Sequence, residues 1–155
     1  EKYGGSFTEL GSYVMLPMAD LFGTRPLHPD FDSICGENGL DLFTRVSVSY
    51  PEGLSTLTCG LGVKSEGRLL IGGSEGYIVA EAPWWKTRHF ELHFEDPGKT
   101  VSYDEEFEGD GLRYEIREFL HRIGEDPYCF REEEKARSVF FAGMMERFLS
   151  TRNGG

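Results

Sequence analysis

The sequence predicts an α+β fold: an open, predominantly antiparallel β-sheet with helices packed on one face. Three observations lead there. Residues Ser6–Phe22 carry an apolar stripe at helical spacing, six alternating segments joined by short turns fill the middle, and two further helical stripes close the chain. Strands joined by short turns pair antiparallel, because parallel pairing requires long crossover connections.

The first helix opens on Ser6, with Glu9 three residues later in the pattern of a capping box. Leu10, Tyr13, Val14, Met18, Leu21 and Phe22 recur near helical spacing, and Gly23 is a natural stop. Pro17 has no N–H to give the Tyr13 carbonyl, so a kink is expected there. Thr24–Asp41 mixes prolines, glycines and acids without a period and reads as mostly loop.

Phe43–Tyr50, the turn Pro51-Glu52-Gly53 and Leu54–Leu61 form a hairpin. Arg68–Ile71 and Tyr77–Val79 flank a glycine-rich turn as a second hairpin. His89–Glu95 places Phe90, Leu92 and Phe94 on one face, and Asp96-Pro97-Gly98-Lys99 turns the chain into Thr100–Phe107. Leu112, Ile116, Phe119, Leu120 and Ile123 then form one helical stripe. Glu132-Glu133-Glu134 opens the last helix at its positive dipole end, with Ala136, Phe140, Met144 and Phe148 on its buried side.

At 155 residues the chain suits one domain with a full core. Its net charge of −11 repels a polyanion, so nucleic acid is not expected as a partner. The uncharged run Gly53–Val63 is far shorter than the roughly 18 apolar residues that span a bilayer, and no basic-then-apolar leader is visible; no membrane association is expected. Cys35, Cys59 and Cys129 are odd in number and widely spaced, as in a cytoplasmic protein with reduced thiols. They read as packing or surface residues. A start at Glu1 and an end at Asn153-Gly154-Gly155 suggest a piece of something longer.

Glu9 and Tyr13 share a helix face, where an acid beside a phenol can relay a proton. The plainer reading keeps Glu9 as a cap and Tyr13 as a packing residue. Gly60-Leu61-Gly62, Gly72-Gly73 with Gly76, and Gly109-Asp110-Gly111 all lack the spacing of a dinucleotide fingerprint, so no cofactor-binding residue is assigned. His89 and His93 stand about 13 Å apart on a strand with Glu91 between them, which favours a solvated face over a metal site. Asp30 and Asp32 fail as a calcium loop because Ile34 and Cys35 occupy the following ligand positions, and no metal is assigned. Trp84, Trp85 and Lys86 offer two aromatic faces and a cation, suited to a sugar or polyol ring, to a partner surface, or to bracing the helix layer.

The run Gly4-Gly5-Ser6-Phe7-Thr8-Glu9-Leu10-Gly11-Ser12-Tyr13 resembles the glycine-rich entry and the Asp-x-Gly-x-(His or Tyr) helix motif of the Gfo/Idh/MocA oxidoreductases. A hairpin ending near Gly60, the stretch Leu70–Tyr77 and Gly111 before a late helix are similar to the C-terminal domain of that family. The resemblance implies a substrate-binding and oligomerisation domain of a NAD(P)-dependent sugar or polyol oxidoreductase. The nucleotide-binding domain, with its glycine fingerprint and Glu-Lys-Pro lysine, is absent; Glu1-Lys2-Tyr3 lacks the proline.

Tyr13 falls where the family has the group that handles the substrate hydroxyl proton. Glu9 falls on the usual Asp, one methylene longer. NAD or NADP is therefore expected in the full-length protein and not on this chain, which alone should be inert. The alternative is a non-catalytic carbohydrate-binding or assembly module that keeps the fold. A homodimer or higher homo-oligomer is expected through the open sheet face, with Tyr50, Leu57 and Tyr103 contributing apolar surface.

Overall fold

The computed structural model describes residues 4–125 and 131–153. The readings of Cys129, Glu1-Lys2-Tyr3 and Gly154-Gly155 lie outside them. The described residues form three helices and seven strands in two open antiparallel sheets, an α+β fold as predicted. The chain divides into two compact units, Glu1–Lys64 with Phe130–Gly155, and Ser65–Cys129.

The first unit contains α1 (Ser6–Phe22), β1 (His28–Cys35), β2 (Asp41–Tyr50), β3 (Gly53–Gly60) and the C-terminal helix, Glu132–Asn153. The sheet order is β1-β2-β3, and the expected hairpin sets Tyr50 opposite Gly53. Strand β1 lies where the sequence predicts mostly loop. Its Asp30, Asp32 and Ser33 have low strand propensity, but an edge strand tolerates polar residues and proline. Phe31 alone carries its large apolar contact, packing on Phe7 edge-to-face at 5.4 Å. Outside, Arg45 Nε donates to Asp32 at 3.2 Å; inside, the Ser33 and Thr44 hydroxyls meet at 2.8 Å.

The first core joins Phe7, Met15 and Met18 of α1 to Val46, Val48 and Tyr50 of β2. Phe140, Met144 and Phe148 of the C-terminal helix complete it as predicted, whereas Ala136 is exposed. Helix α1 is turned relative to its expected stripe. It buries Phe7, Gly11, Met15, Met18 and Ala19, and leaves Tyr13 and Leu21 outside. A Cβ at Gly11 would stand 2.9 Å from both Met145 and the Phe7 ring, so glycine lets the two helices approach.

Two residues expected on an open face point inward instead. Tyr50 is only 5% exposed, stacks on Phe22 at 5.0 Å and donates its hydroxyl to the Gly23 carbonyl at 3.3 Å. Leu57, opposite Val46, packs on the same core. Strand alternation explains both: the outward positions of this sheet include Asp30, Asp32, Arg45, Ser47, Ser49, Thr56 and Thr58, with the exposed apolar Ile34 and Leu54 toward its ends.

The second unit holds β4 (Leu69–Gly72), β5 (Gly76–Ala80), β6 (His89–Phe94) and β7 (Val101–Asp104) in the order β4-β5-β6-β7, followed by α2 (Leu112–Glu125). The six predicted strands thus sit in two sheets rather than one. Residues 61–68, whose apolar side chains are only Leu61 and Val63, form no strand between them. Register places Ile71, Ile78, Leu92 and Val101 in one row and Ala80, Phe90 and Tyr103 in the next, giving an apolar face. His89, Glu91 and His93 lie on the opposite face. Helix α2 forms where its stripe predicts, but Leu112, Ile116, Phe119, Leu120 and Ile123 are all exposed, from 47% to 62%. With the C-terminal helix numbered α3, the element order is complete.

Candidate functional site

Helix α1 starts against a side chain remote in sequence. Its N-cap is Gly5, with no side-chain cap, so Ser6 and Glu9 do not form the expected capping box. Ser6 instead donates its hydroxyl to the Asp41 carbonyl at 3.0 Å and accepts the Leu61 amide at 2.9 Å. The Asp41 carboxylate accepts the Phe7 amide and the Thr44 hydroxyl, each at 2.8 Å. An anion at the helix N-terminus answers both the orphan amide and the dipole. Gly5 has φ 109°, and a Cβ there would lie 2.0 Å from Asp41 Oδ1, so only glycine fits. Arg152, on the last turn of α3, closes the network with a 3.5 Å ion pair to Asp41 and a hydrogen bond to the Gly39 carbonyl.

This frame presents Glu9 and Tyr13 one turn apart on the outer face of α1. Tyr13 is 66% exposed, which removes the reading of it as a packing residue. Glu9 is exposed as well, and neither side chain has a hydrogen-bond or ionic partner among the described residues. The arrangement supplies a phenol and a carboxylate, both free to meet a ligand. The helix is continuous through Pro17, which leaves the Tyr13 carbonyl without its usual donor.

Trp84, Trp85 and Lys86 belong to the second unit and are described apart from Glu9 and Tyr13. They form a single 3₁₀ turn, with the Trp84 amide donating to the Gly67 carbonyl at 2.8 Å. The two indoles meet edge-to-face at 6.1 Å; Trp84 is half-buried, and Trp85 is 60% exposed with part of its ring against Gly67. Lys86 Nζ pairs with Asp110 at 3.0 Å. An open depression of about 530 Å³ at the β4–β5 turn, lined by Gly72, Glu75, Tyr77 and Phe94, contains none of the candidate residues.

Glu91 bridges the two histidines of β6, 3.5 Å from His89 Nε2 and 2.9 Å from His93 Nε2. The His93 ring also stacks on Tyr77 at 4.7 Å. Among the described residues no group of three or more His, Cys, Asp or Glu side chains is placed to hold a metal ion. Cys35 is exposed and free; Cys59 is buried, and burial, then the nearby Asp41 charge, push its thiol up to about 12. No helix of the described residues is long and apolar enough to cross a membrane.

The glycine clusters do not fit a dinucleotide. Leu61 and Gly62 give their amides to Ser6 and to the Leu42 carbonyl, and Gly73 gives its own to Gly76. Glu108 and Asp110 place negative charge beside Gly109 and Gly111, where a phosphate would need donors. Sequence reading missed Asp41 and Arg152, whose separation along the chain leaves no local signal.

Neither protein-family models nor curated protein sequences match the chain. Solved structures do. UDP-N-acetylglucosamine 3-dehydrogenase GnnA from Acidithiobacillus ferrooxidans matches with TM-score 0.62 at 16% identity, over 82% of this chain and 40% of its own. A Klebsiella pneumoniae protein with a provisional oxidoreductase assignment matches with TM-score 0.67 at 15% identity, over 100% of this chain and 49% of its own. YvaA from Bacillus subtilis, likewise provisionally assigned, matches with TM-score 0.64 at 12% identity, over 99% and 52%. The fold is shared with oxidoreductases. This agrees with the fold implied by the Gly4–Tyr13 resemblance, and the chain spans about half the length of these structures.

Proposed function

We propose that this chain is the substrate-binding and oligomerisation part of a cytoplasmic NAD(P)-dependent oxidoreductase acting on a secondary alcohol of a sugar or polyol. The observation that carries the reading is Tyr13, exposed on α1 within a helix motif and a fold shared with oxidoreductase chains. Tyr13 accepts the substrate hydroxyl proton, and Glu9 one turn away passes it on or holds the phenol. A phenol whose ordinary pKa is about 10 needs a neighbouring cation to act as a base at neutral pH. The similarity to a dehydrogenase of a sugar nucleotide supports a carbohydrate substrate. The exposed face of Trp85 suits the C–H face of a sugar ring, with Trp84 and Lys86 beside it.

Among the described residues the glycine clusters do not fit NAD or NADP, which supports placing the dinucleotide on another part of the full-length protein. That same misfit, with Glu9 in place of the shorter acid, favours a second reading as a non-catalytic carbohydrate-binding or assembly module. One experiment separates them. The full-length protein is expected to reduce NAD or NADP when given UDP-sugars or polyols, while calorimetric titration of the 155-residue chain with either dinucleotide gives no heat. Micromolar binding by the chain alone defeats the division of labour; a full-length protein that reduces neither dinucleotide leaves the binding-module reading.

The apolar face of the second sheet, where Phe90 and Tyr103 stack at 4.8 Å and Tyr103 is 45% exposed, supports the proposed homo-oligomerisation. Light scattering should give at least twice the 17.5 kDa chain mass. A mass of 17.5 kDa at high concentration rejects association.

A further inference from the structure

The polar face of the second sheet carries a cluster that the proposed reaction does not use. Strand β7 is an edge strand with every residue exposed. Backbone pairing to β6 holds it, with Asp104 opposite His89 and Tyr103 opposite Phe90. On the apolar face the Phe90–Tyr103 stack ties the strands together. On the polar face the tie is His89, with Nδ1 2.8 Å from Asp104 and Nε2 3.5 Å from Glu91.

A neutral imidazole carries one N–H and can donate to only one of these carboxylates; an imidazolium donates to both. We propose that His89 is a proton-operated clasp: charged, it bonds Asp104 and Glu91 together and fastens edge strand β7 to β6, and on losing its proton it keeps at most one of these bonds and its hold on β7 weakens. The charges facing it are Asp104 from β7 and Glu91 from its own strand, both negative. His93 shares Glu91, and on the remaining neighbours Tyr77 of β5 stacks on His93 while Thr100 approaches its Nδ1 at 3.5 Å. Lys99 of the adjoining 3₁₀ turn pairs with Asp96 at 3.9 Å, and Arg88 lies over Phe107 at 4.7 Å.

The hydrogen bond to Asp104 raises the His89 pKa above its ordinary 6.5; desolvation, the next largest effect, opposes it, and the hydrogen bond to Glu91 adds to the rise. A group raised in the folded state contributes below its unfolded value and loses that contribution as pH rises through the folded value. The clasp is therefore closed below the ordinary 6.5 and opens as pH rises through the raised His89 value. Beyond Asp104 the Glu105 amide still donates to the Arg88 carbonyl at 2.8 Å, so loosening is local.

The test is amide exchange by NMR on the whole chain near pH 6 and near pH 8, corrected for intrinsic chemistry. Protection of the β7 amides should be about two- to five-fold greater near pH 6, the range of an exposed ion pair. Asp104→Asn and His89→Gln should each abolish the difference, and both replace exposed side chains, so the fold persists. His89 should titrate above 6.5 in the parent chain. Equal β7 protection at both pH values, a difference that survives in Asp104→Asn, or His89 titrating at or below 6.5 overturns the proposal.

Discussion

Asp41→Ala is expected to destabilise the first unit by about 3–5 kcal/mol, the cost typical of removing one partner from a buried charge network. The Asp41 side chain is fully buried and Arg152 is 16% exposed. Truncation strands the Phe7 amide, leaves the Thr44 hydroxyl only its Ser33 partner, opens a void beside Gly5, and leaves Arg152 its Gly39 hydrogen bond and its stacking over Phe148. Arg152→Ala should cost less, about 1–3 kcal/mol, because Asp41 keeps two donors. Thr44→Val removes one of those donors and should cost about 1 kcal/mol.

Urea unfolding followed by far-UV circular dichroism measures these losses, with exchange of the α1 amides assigning them to the first unit. Both tryptophans lie in the second unit, so their fluorescence follows the other transition separately. A loss below about 1 kcal/mol for Asp41→Ala would mean that the carboxylate merely occupies space.

The same network shows why part of the fold was legible in the sequence and part was not. Pro51-Glu52-Gly53 and Asp96-Pro97-Gly98-Lys99 encode turns by local chemistry, and hairpins form around both, although β7 ends at Asp104 and not at Phe107. The end of α1 is likewise local, since Gly23 donates to the Ala19 carbonyl at 2.9 Å. Its beginning is not local, because Asp41 does the work expected of the Ser6 hydroxyl. Strand β1 escaped the reading because an edge strand needs only Phe31 on its inner face. Helix α2 was legible from its stripe, whereas the exposure of that stripe depends on surroundings that periodicity does not encode.

For the candidate site, two overlapping stripes competed on α1. The expected stripe ran through Leu10, Tyr13, Val14 and Met18. The buried one runs through Phe7, Gly11, Met15, Met18 and Ala19, and Gly11 is a position whose importance lies in closeness rather than hydrophobicity. The Gly4–Tyr13 motif, and not an apolar stripe, is what singles out Tyr13 as a candidate.

Under the proposed function, Tyr13→Phe in the full-length protein is expected to lower kcat about 100- to 10,000-fold, the usual effect of removing a positioned acid–base group. KM for the dinucleotide should be unchanged, since the proposal assigns that ligand to another part of the full-length protein. Stability should move by less than about 0.5 kcal/mol, because the phenol is 66% exposed and its hydroxyl has no partner among the described residues. That combination separates chemistry from packing, since a packing hydroxyl would change stability and spare turnover. Glu9→Gln then tests the relay. Without a capping box, Glu9 acts on the helix only through its charge near the N-terminus, worth about 0.3–1 kcal/mol. A relay role requires kcat to fall well beyond what that small destabilisation explains, in the same direction as Tyr13→Phe. If Tyr13→Phe turns over within about twofold of the parent, where a positioned acid–base group would cost at least about 100-fold, the exposed phenol is surface and the site assignment fails.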